Sequence, residues 1–405
     1  MSRKIAIIGG GAAGLAAACA IGEGTDITIY ERNDRVGKKL LSTGNGRCNL
    51  LNTNLSPKQL KSTNIDIIPQ VLGTSAVSEI MSFFENLGLL MRIENEGRVY
   101  PLCNQASAVL DVLRYEASER GVRIRCDFCA ESIKKTENGF NIQSDNGEKA
   151  FADIVILACG GMAAPKTGSD GLGYKLAKTL GHSITSTNPA LVALKSETSF
   201  TAPIKGIRCK AGVKLVSGNS VLFSESGEIQ FTDYGISGIA AMQLSRHLKS
   251  SSRIVIDFAE EYNYNYILYR LNEGASKNRE AQDIMTGIVQ KRIAQQIIKH
   301  VLSISPATPA SKLSEFDLEK LASAIKGLEL DVKGTLSWDN AQVTSGGIPL
   351  TEINPDTMES KITENLYILG EMLDCDGECG GYNLGWAWIC ALNAAKSINK
   401  ELSLC

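Results

Sequence analysis

The first thirty-one residues constrain this chain more than any other stretch. An apolar run from Lys4 to Ile8 leads into Gly9-Gly10-Gly11-Ala12-Ala13-Gly14, then the alanine-rich Leu15 to Ile21, then Asp26-Ile27-Thr28-Ile29-Tyr30-Glu31. The order reads as buried strand, glycine turn, helix and second strand, the unit that binds a dinucleotide diphosphate. Gly9 permits the tight turn, Gly11 lets backbone N–H groups approach the pyrophosphate, and Gly14 allows close packing of helix on strand. Ala12 and Ala13 open the helix, whose N-terminus faces the negative charge. Glu31 ends the second strand, where a carboxylate accepts hydrogen bonds from a ribose 2′-OH and repels a 2′-phosphate. The expected ligand is therefore FAD or NAD, with Arg32 next to the ribose site.

Three later segments ask for a flavin. Lys39, Ser42, Gly44, Gly46, Arg47, Cys48 and Asn49 fall in a stretch dense in glycine and small polar donors, suited to wrapping a ribityl chain or a second part of a diphosphate. The apolar strand Ala152 to Ala158 ends at Cys159-Gly160-Gly161, where small residues let the chain pass close to a cofactor. Near the C-terminus a strand over Leu366 to Leu369 precedes Gly370 and Glu371. Gly380-Gly381-Tyr382-Asn383-Leu384 then lead into a helix expected from Trp386, whose N-terminus would stabilise negative charge on a reduced flavin ring.

A length of 405 residues implies more than one domain. The expected fold class is α/β: a Rossmann-like FAD-binding domain, discontinuous in sequence (1–190 and 341–405), with an inserted β-barrel-like (191–261 and 327–340) and helical (262–326) substrate region. Short β-like runs such as Ala211 to Val216 and Glu228 to Phe231 support the barrel, and Thr335 to Gln342 reads as a further strand. Ile288, Ile293, Ile297 and Ile298 mark a helical face read as core.

Lys+Arg 42 against Asp+Glu 44 leaves a net charge of −2, no field for gathering nucleic-acid phosphates, so a small molecule is the expected partner. No apolar run reaches the roughly 18 to 20 residues needed to span a bilayer. Glycines end the run after Ile8 too soon for a secretory leader. The expected location is cytoplasmic, without membrane association. Eleven scattered cysteines argue for reduced thiols. Cys126 and Cys129 form a CxxC inside a strand-like stretch, whose alternation puts them on opposite faces, and no second CxxC completes a metal site. Cys375 and Cys379 flank glycines, and both redox work and small residues near a ligand fit them. His182, His247 and His300 read as structural.

Taken together, the chain resembles the HI0933-like family of bacterial NAD(P)/FAD-dependent flavoprotein oxidoreductases nearly end to end. The resemblance rests on Ile7 to Gly14, on Gly37-Lys38-Lys39 with Gly44-Asn45-Gly46-Arg47-Cys48-Asn49, and on Gly97-Arg98-Val99-Tyr100-Pro101. It continues through Cys159-Gly160-Gly161 with Pro165-Lys166-Thr167-Gly168, Phe231 to Gly238 and Val343 to Gly347, and closes on Gly370-Glu371 and Asp374 to Leu384. It implies non-covalent FAD and the inserted substrate region. Its members look like aminoacetone or amine oxidases in some cases and like reductases of 3-oxo bile-acid intermediates in others. Two departures are visible: Cys159 stands where the family often has Thr, and Asp233 where it often has His, so no catalytic role passes to Asp233.

A flavin carries hydride chemistry at N5, so the side chains to seek are proton donors and anion holders. Arg98, Tyr100 and Tyr382 are the catalytic candidates: tyrosine delivers a proton and arginine holds a carbonyl or carboxylate. No Ser-His-Asp, HExxH or phosphate-transfer P-loop pattern is present, which removes hydrolases and kinases. The leading expectation is NAD(P)H-dependent reduction of an unsaturated or carbonyl-bearing small molecule, with NADH or NADPH as transient donor. Only one nucleotide fingerprint is present, which weighs against a separate stable NAD(P)H site. Alternatives are an aminoacetone-type amine oxidase using O2, and a flavoprotein binding factor without turnover.

Overall fold

The computed structural model describes residues 2–403. The chain forms two compact units, one built from residues up to Asn188 and from Gln342 onward, the other from Pro189–Ala341.

In the first unit, β1 (Arg3–Ile8) lies at the middle of a five-stranded parallel sheet. On one side it pairs with β2 (Thr25–Tyr30), and beyond that with Arg123–Arg125. On the other it pairs with Ile154–Leu157, and beyond that with Leu366–Ile368. Ile5, Ile7, Ile8 and all four residues of Ile154–Leu157 are buried, as expected for central parallel strands covered on both faces. The helix α1 (Ala12–Ala20) is built almost wholly of small residues, which lets it pack closely on the C-terminal helix Tyr382–Leu402. Trp386 and Trp388 anchor that helix. Their indole N–H groups donate to the carbonyls of Gly370 (3.2 Å) and Leu50 (2.9 Å), so two bulky buried rings leave no unpaired donor. Among the described residues no single helix is long and apolar enough to cross a membrane.

The second unit is a closed six-stranded barrel in the order Leu194–Ser196, Gly235–Ser237, Ser220–Phe231, Arg208–Ser217, Ser252–Asp257 and Leu328–Thr335. Closure pairs the first strand with the last and leaves no open sheet edge. Between the last two strands the chain makes three helices, Tyr264–Ala275, Lys291–Leu302 and Glu315–Gly327. The third starts at a capping box between Ser314 and Asp317. Ile293, Ile297 and Ile298 enter the unit's core.

Three local expectations are corrected. The C-terminal helix starts at Tyr382 rather than Trp386. Gly381, at φ 97°, caps it in the left-handed region, so Tyr382-Asn383-Leu384 form its first turn. Cys126 and Cys129 lie in the connection between Arg123–Arg125 and Ala130–Thr136, not within one strand. There Asp127 and Phe128 turn away to donate their N–H groups to the carbonyls of Asn33 and Glu31 (2.9 and 3.0 Å). Finally, Thr335 ends a strand rather than starting one. Barrel-type pairing continues only to Leu336, whose N–H donates to Ala193, before a turn over Trp338–Asn340. The barrel hairpin is also longer than its apolar runs imply, because its solvent-facing positions are charged or small and mask the alternation.

Candidate cofactor cleft

At the carboxyl ends of the parallel strands the first unit opens a cleft of about 1310 Å³, its mouth included. That is the position at which open α/β sheets bind ligands. Its centre is the glycine turn. The Gly9 N–H donates to the Tyr30 carbonyl (2.9 Å) and the Gly37 N–H to the Gly10 carbonyl (2.8 Å), so the turn is pinned between β1, β2 and the next loop. A Cβ on Gly14 would collide with the Gly9 carbonyl oxygen, whereas one on Gly11 would meet nothing within 4 Å. Gly14 therefore serves packing, and Gly11 faces the open space before the helix N-terminus.

Glu31 defines one arm. Only 7% exposed, its carboxylate accepts the Gly10 N–H (2.9 Å), the Asn33 N–H (2.9 Å) and the Asn33 side-chain amide (2.7 Å). Both oxygens are thus held in place, and Oε2, which accepts one bond against two at Oε1, retains a lone pair for a ligand hydroxyl. Arg32 beside it pairs with Asp170 (2.5 Å).

The other arm carries Lys39, paired with Glu371 at 2.6 Å. The second Glu371 oxygen accepts the Thr344 N–H (2.9 Å), and the Thr344 hydroxyl accepts the Met162 N–H (2.7 Å). Asn383 closes the 377–383 loop: its Oδ1 accepts the Gly377 N–H (2.8 Å) and its amide donates to the Gly377 carbonyl (2.9 Å).

Of the predicted cofactor residues, Gly9, Gly11, Ala12, Ala13, Glu31, Arg32, Lys39, Gly160, Glu371, Asn383 and Leu384 line this cleft. Gly14, Gly161 and Gly370 stand behind its wall, where Cβ atoms would crowd Gly9, Thr344 and Ala13 respectively. Ser42, Gly44, Gly46, Arg47, Cys48 and Asn49 lie outside the lining, as do Gly381 and Tyr382. Sequence reasoning missed Phe128, Cys129, Ser169, Asp170, Gln342 and Val343, which also line it, as does Thr43 of the 42–49 stretch. The run Gly168-Ser169-Asp170-Gly171 between strand and helix was the available signal for two of these. Cys375 lines the cleft too, a small residue near the ligand space. The ten described cysteines carry no disulfide.

The three catalytic candidates belong to the same unit and lie outside the lining of this cleft. Arg98 and Tyr100 lie on the strand Arg98–Pro101, and Arg98 pairs with Glu96. A Cβ on Gly380 would be 3.4 Å from the Tyr382 ring and 3.7 Å from Arg98 Nε, so those two side chains flank the same glycine. The Arg47 guanidinium lies 4.1 Å from the centre of the Tyr100 ring and is itself held by Glu94 (2.5 Å) and Asn104 (2.7 Å). Burial pushes both phenols up, and Arg47 and Arg98 partly offset this at Tyr100, as Arg98 does at Tyr382. Both therefore remain protonated at neutral pH. His182 is buried between Glu352 (2.7 Å) and Ser360 (2.8 Å), away from the cleft. His247 stacks on Phe223 and His300 meets Phe200 edge-on.

A dinucleotide carrying a flavin fits this donor set. Gly11 leaves room at the helix N-terminus, Glu31 is fixed for ribose hydroxyls, and the buried Ser169 hydroxyl in the wall has no protein partner. Fold and cleft define a dinucleotide-binding protein of the Rossmann type, and its family and relatives make it an FAD-dependent oxidoreductase. The chain belongs to the HI0933-like family, whose Rossmann-domain model matches residues 3–397. It is 38% identical over 396 residues to the 3-dehydro-bile acid delta(4,6)-reductase of Clostridium scindens, covering 95% of this chain and 96% of that one. It is 25% identical to the ribosomal RNA dihydrouridine synthase of Haemophilus influenzae, covering 98% of each. Among solved structures it resembles the 3-ketosteroid-delta4-(5alpha)-dehydrogenase of Rhodococcus jostii, with a TM-score of 0.50 and 14% identity over 98% of this chain and 97% of that one, a likeness of fold.

Proposed function

We propose that this protein is an NAD(P)H-dependent reductase of a conjugated, carbonyl-bearing small molecule of steroid-like size. The observation that carries this reading is the 38% identity, over nearly both full chains, to a reductase of a 3-dehydro-bile acid. When bound, FAD supplies hydride transfer at N5. The rest falls to side chains. The glycine turn and the helix N-terminus hold the diphosphate, Glu31 holds the ribose, and Lys39 with Glu371 forms the opposite wall. Arg98 holds the substrate carbonyl, and the phenol of Tyr100 or Tyr382 gives the proton that completes addition across the double bond.

The relative from Haemophilus influenzae acts on ribosomal RNA by its name, at a lower identity of 25%. A net charge of −2 favours the small-molecule reading over an RNA one. Anaerobic mixing of the purified yellow protein with NADH, NADPH or aminoacetone tests the electron donor. Bleaching by a reduced nicotinamide supports the proposal; bleaching by aminoacetone alone would replace it with an amine oxidase, and no bleaching by any of them with a non-catalytic binding factor.

A further inference from the structure

The residues on the Glu31 side of the cleft carry an arrangement beyond nucleotide binding itself. The loop 165–170 crosses the turn that follows β2 and is held to it by two polar contacts and one close approach. The Asn33 side-chain amide donates to the Thr167 carbonyl (3.0 Å), Arg32 pairs with Asp170 (2.5 Å), and a Cβ on Gly168 would come within 2.5 Å of the Asn33 amide nitrogen. That same Asn33 amide also donates to the Glu31 carboxylate (2.7 Å), so the group placed to bind ribose and the loop share one hydrogen-bonding side chain. Between them, Ser169 is only 5% exposed, lines the cleft and has no partner for its hydroxyl oxygen. A buried hydroxyl without a partner is costly unless a ligand or water completes it.

We propose that residues 167–170 are a strap over the adenosine diphosphate half of the bound dinucleotide: the Ser169 hydroxyl hydrogen-bonds to a ribose or phosphate oxygen, and the Arg32–Asp170 pair latches the strap shut. The inference rests on the cleft holding FAD. Ribose binding at Glu31 fixes Asn33, Asn33 holds the Thr167 carbonyl, and the ion pair bridges the outside. In the free protein Arg32 and Asp170 are each about one-third exposed, at 35% and 36%, where such a pair is weakly stabilising. Covering it with the adenosine would remove part of that solvent, so the latch acts mainly on escape of the ligand rather than on folding.

The test is the rate of FAD release from the full-length holoprotein, followed as the rise of free-flavin fluorescence after dilution, in wild type, Asp170→Asn, Arg32→Gln, the double variant and Ser169→Ala. Each single change is expected to speed release by about three- to tenfold, and the charge-neutral double variant to release no faster than the quicker of its two parents, as coupled neighbours do. Melting curves of the apoproteins should be unchanged, which separates the strap from misfolding. Should a charge variant fold poorly, Ser169→Ala, which alters neither charge nor the latch, carries the test. Release within twofold of wild type in Asp170→Asn and Ser169→Ala would overturn the strap, and strictly multiplicative effects of Arg32→Gln and Asp170→Asn would overturn the latch. Wild-type protein that retains no FAD would instead refute the cofactor reading beneath it.

Discussion

The backbone N–H of Gly10 donates to the Glu31 carboxylate at 2.9 Å across 21 residues, tying the turn that receives the diphosphate to the end of the strand that receives the ribose. The acidic residue is therefore part of the scaffold as well as a ligand group. Glu31→Ala leaves the N–H groups of Gly10 and Asn33 without their charged acceptor, and hydrogen bonds to charged groups are worth about 1.5 to 3 kcal/mol each. The expected result is a lower apoprotein melting temperature together with at least a tenfold loss of FAD affinity, read by calorimetry and by flavin fluorescence quenching.

Gly11 and Gly14 should separate binding from folding. Gly11 has an ordinary extended backbone (φ −85°, ψ −165°) and open space at its Cβ, so Gly11→Val should fold with unchanged melting while failing to retain FAD. At Gly14 even an alanine collides with the Gly9 carbonyl oxygen, and Gly14→Ala should lower apoprotein stability by about 1 to 3 kcal/mol, the usual range for overpacking. Denaturant melts and flavin content of the two variants give the comparison.

The part of the site legible in sequence is the part made by local backbone. The unit from Lys4 to Glu31 is specified by contiguous residues, and its strand pairing and buried acid follow from that order. The segment 42–49 is harder to read because glycine density signals backbone bending as well as ligand approach. Gly44 and Asn45 turn the chain at positive φ, while Arg47 is engaged with Glu94, Asn104 and Tyr100 rather than with the cleft. For Ser169 and Asp170 the glycine-flanked run marks a bend, but their place beside the cleft follows from the loop crossing to residues more than 130 positions earlier, a contact that spacing alone does not encode. The start of the C-terminal helix was missed because two glycines hide its cap. Gly381 is fixed there by its left-handed backbone and by the Leu51 carbonyl, 2.5 Å from where a Cβ would sit. Gly381→Pro would therefore break the cap.

Tyr100 and Tyr382 are held protonated by burial, so a proton donated by either remains available until the pH passes its raised pKa, above the ordinary value of 10. Turnover should show no alkaline loss from this group up to about pH 10. Phenylalanine at the donor should lower kcat about 10²- to 10⁴-fold, the range for removing a general acid, with KM little changed. Steady-state kinetics of Tyr100→Phe and Tyr382→Phe identify which one acts. Retention of full turnover by both variants would remove tyrosine from the mechanism.

Buried thiols give the fold an alkaline limit. Burial pushes Cys19, Cys48 and Cys390 each up to about 12 from an ordinary 9. The folded chain keeps these protons while the unfolded chain loses them, so the stabilisation is complete below pH 9 and is lost as pH rises toward 12. Each thiol should contribute a slope of about 1.4 kcal/mol per pH unit within that window. Urea melts of wild type from pH 8 to 11 should show the decline, and Cys48→Ala, whatever its effect at neutral pH, should show a shallower one.

The most direct measurement is a single turnover. Protein reduced anaerobically with one equivalent of NADPH or NADH is mixed in a stopped-flow instrument with a 3-oxo-4,6-diene steroid or with dissolved O2, and return of the flavin absorbance is followed. A reductase predicts rapid reoxidation by the dienone, with one molecule of reduced steroid formed per flavin, and reoxidation by O2 at least a hundredfold slower at equal concentration, roughly 2.8 kcal/mol of preference. Fast reoxidation by O2 with the dienone recovered unchanged would contradict the account and point to an oxidase.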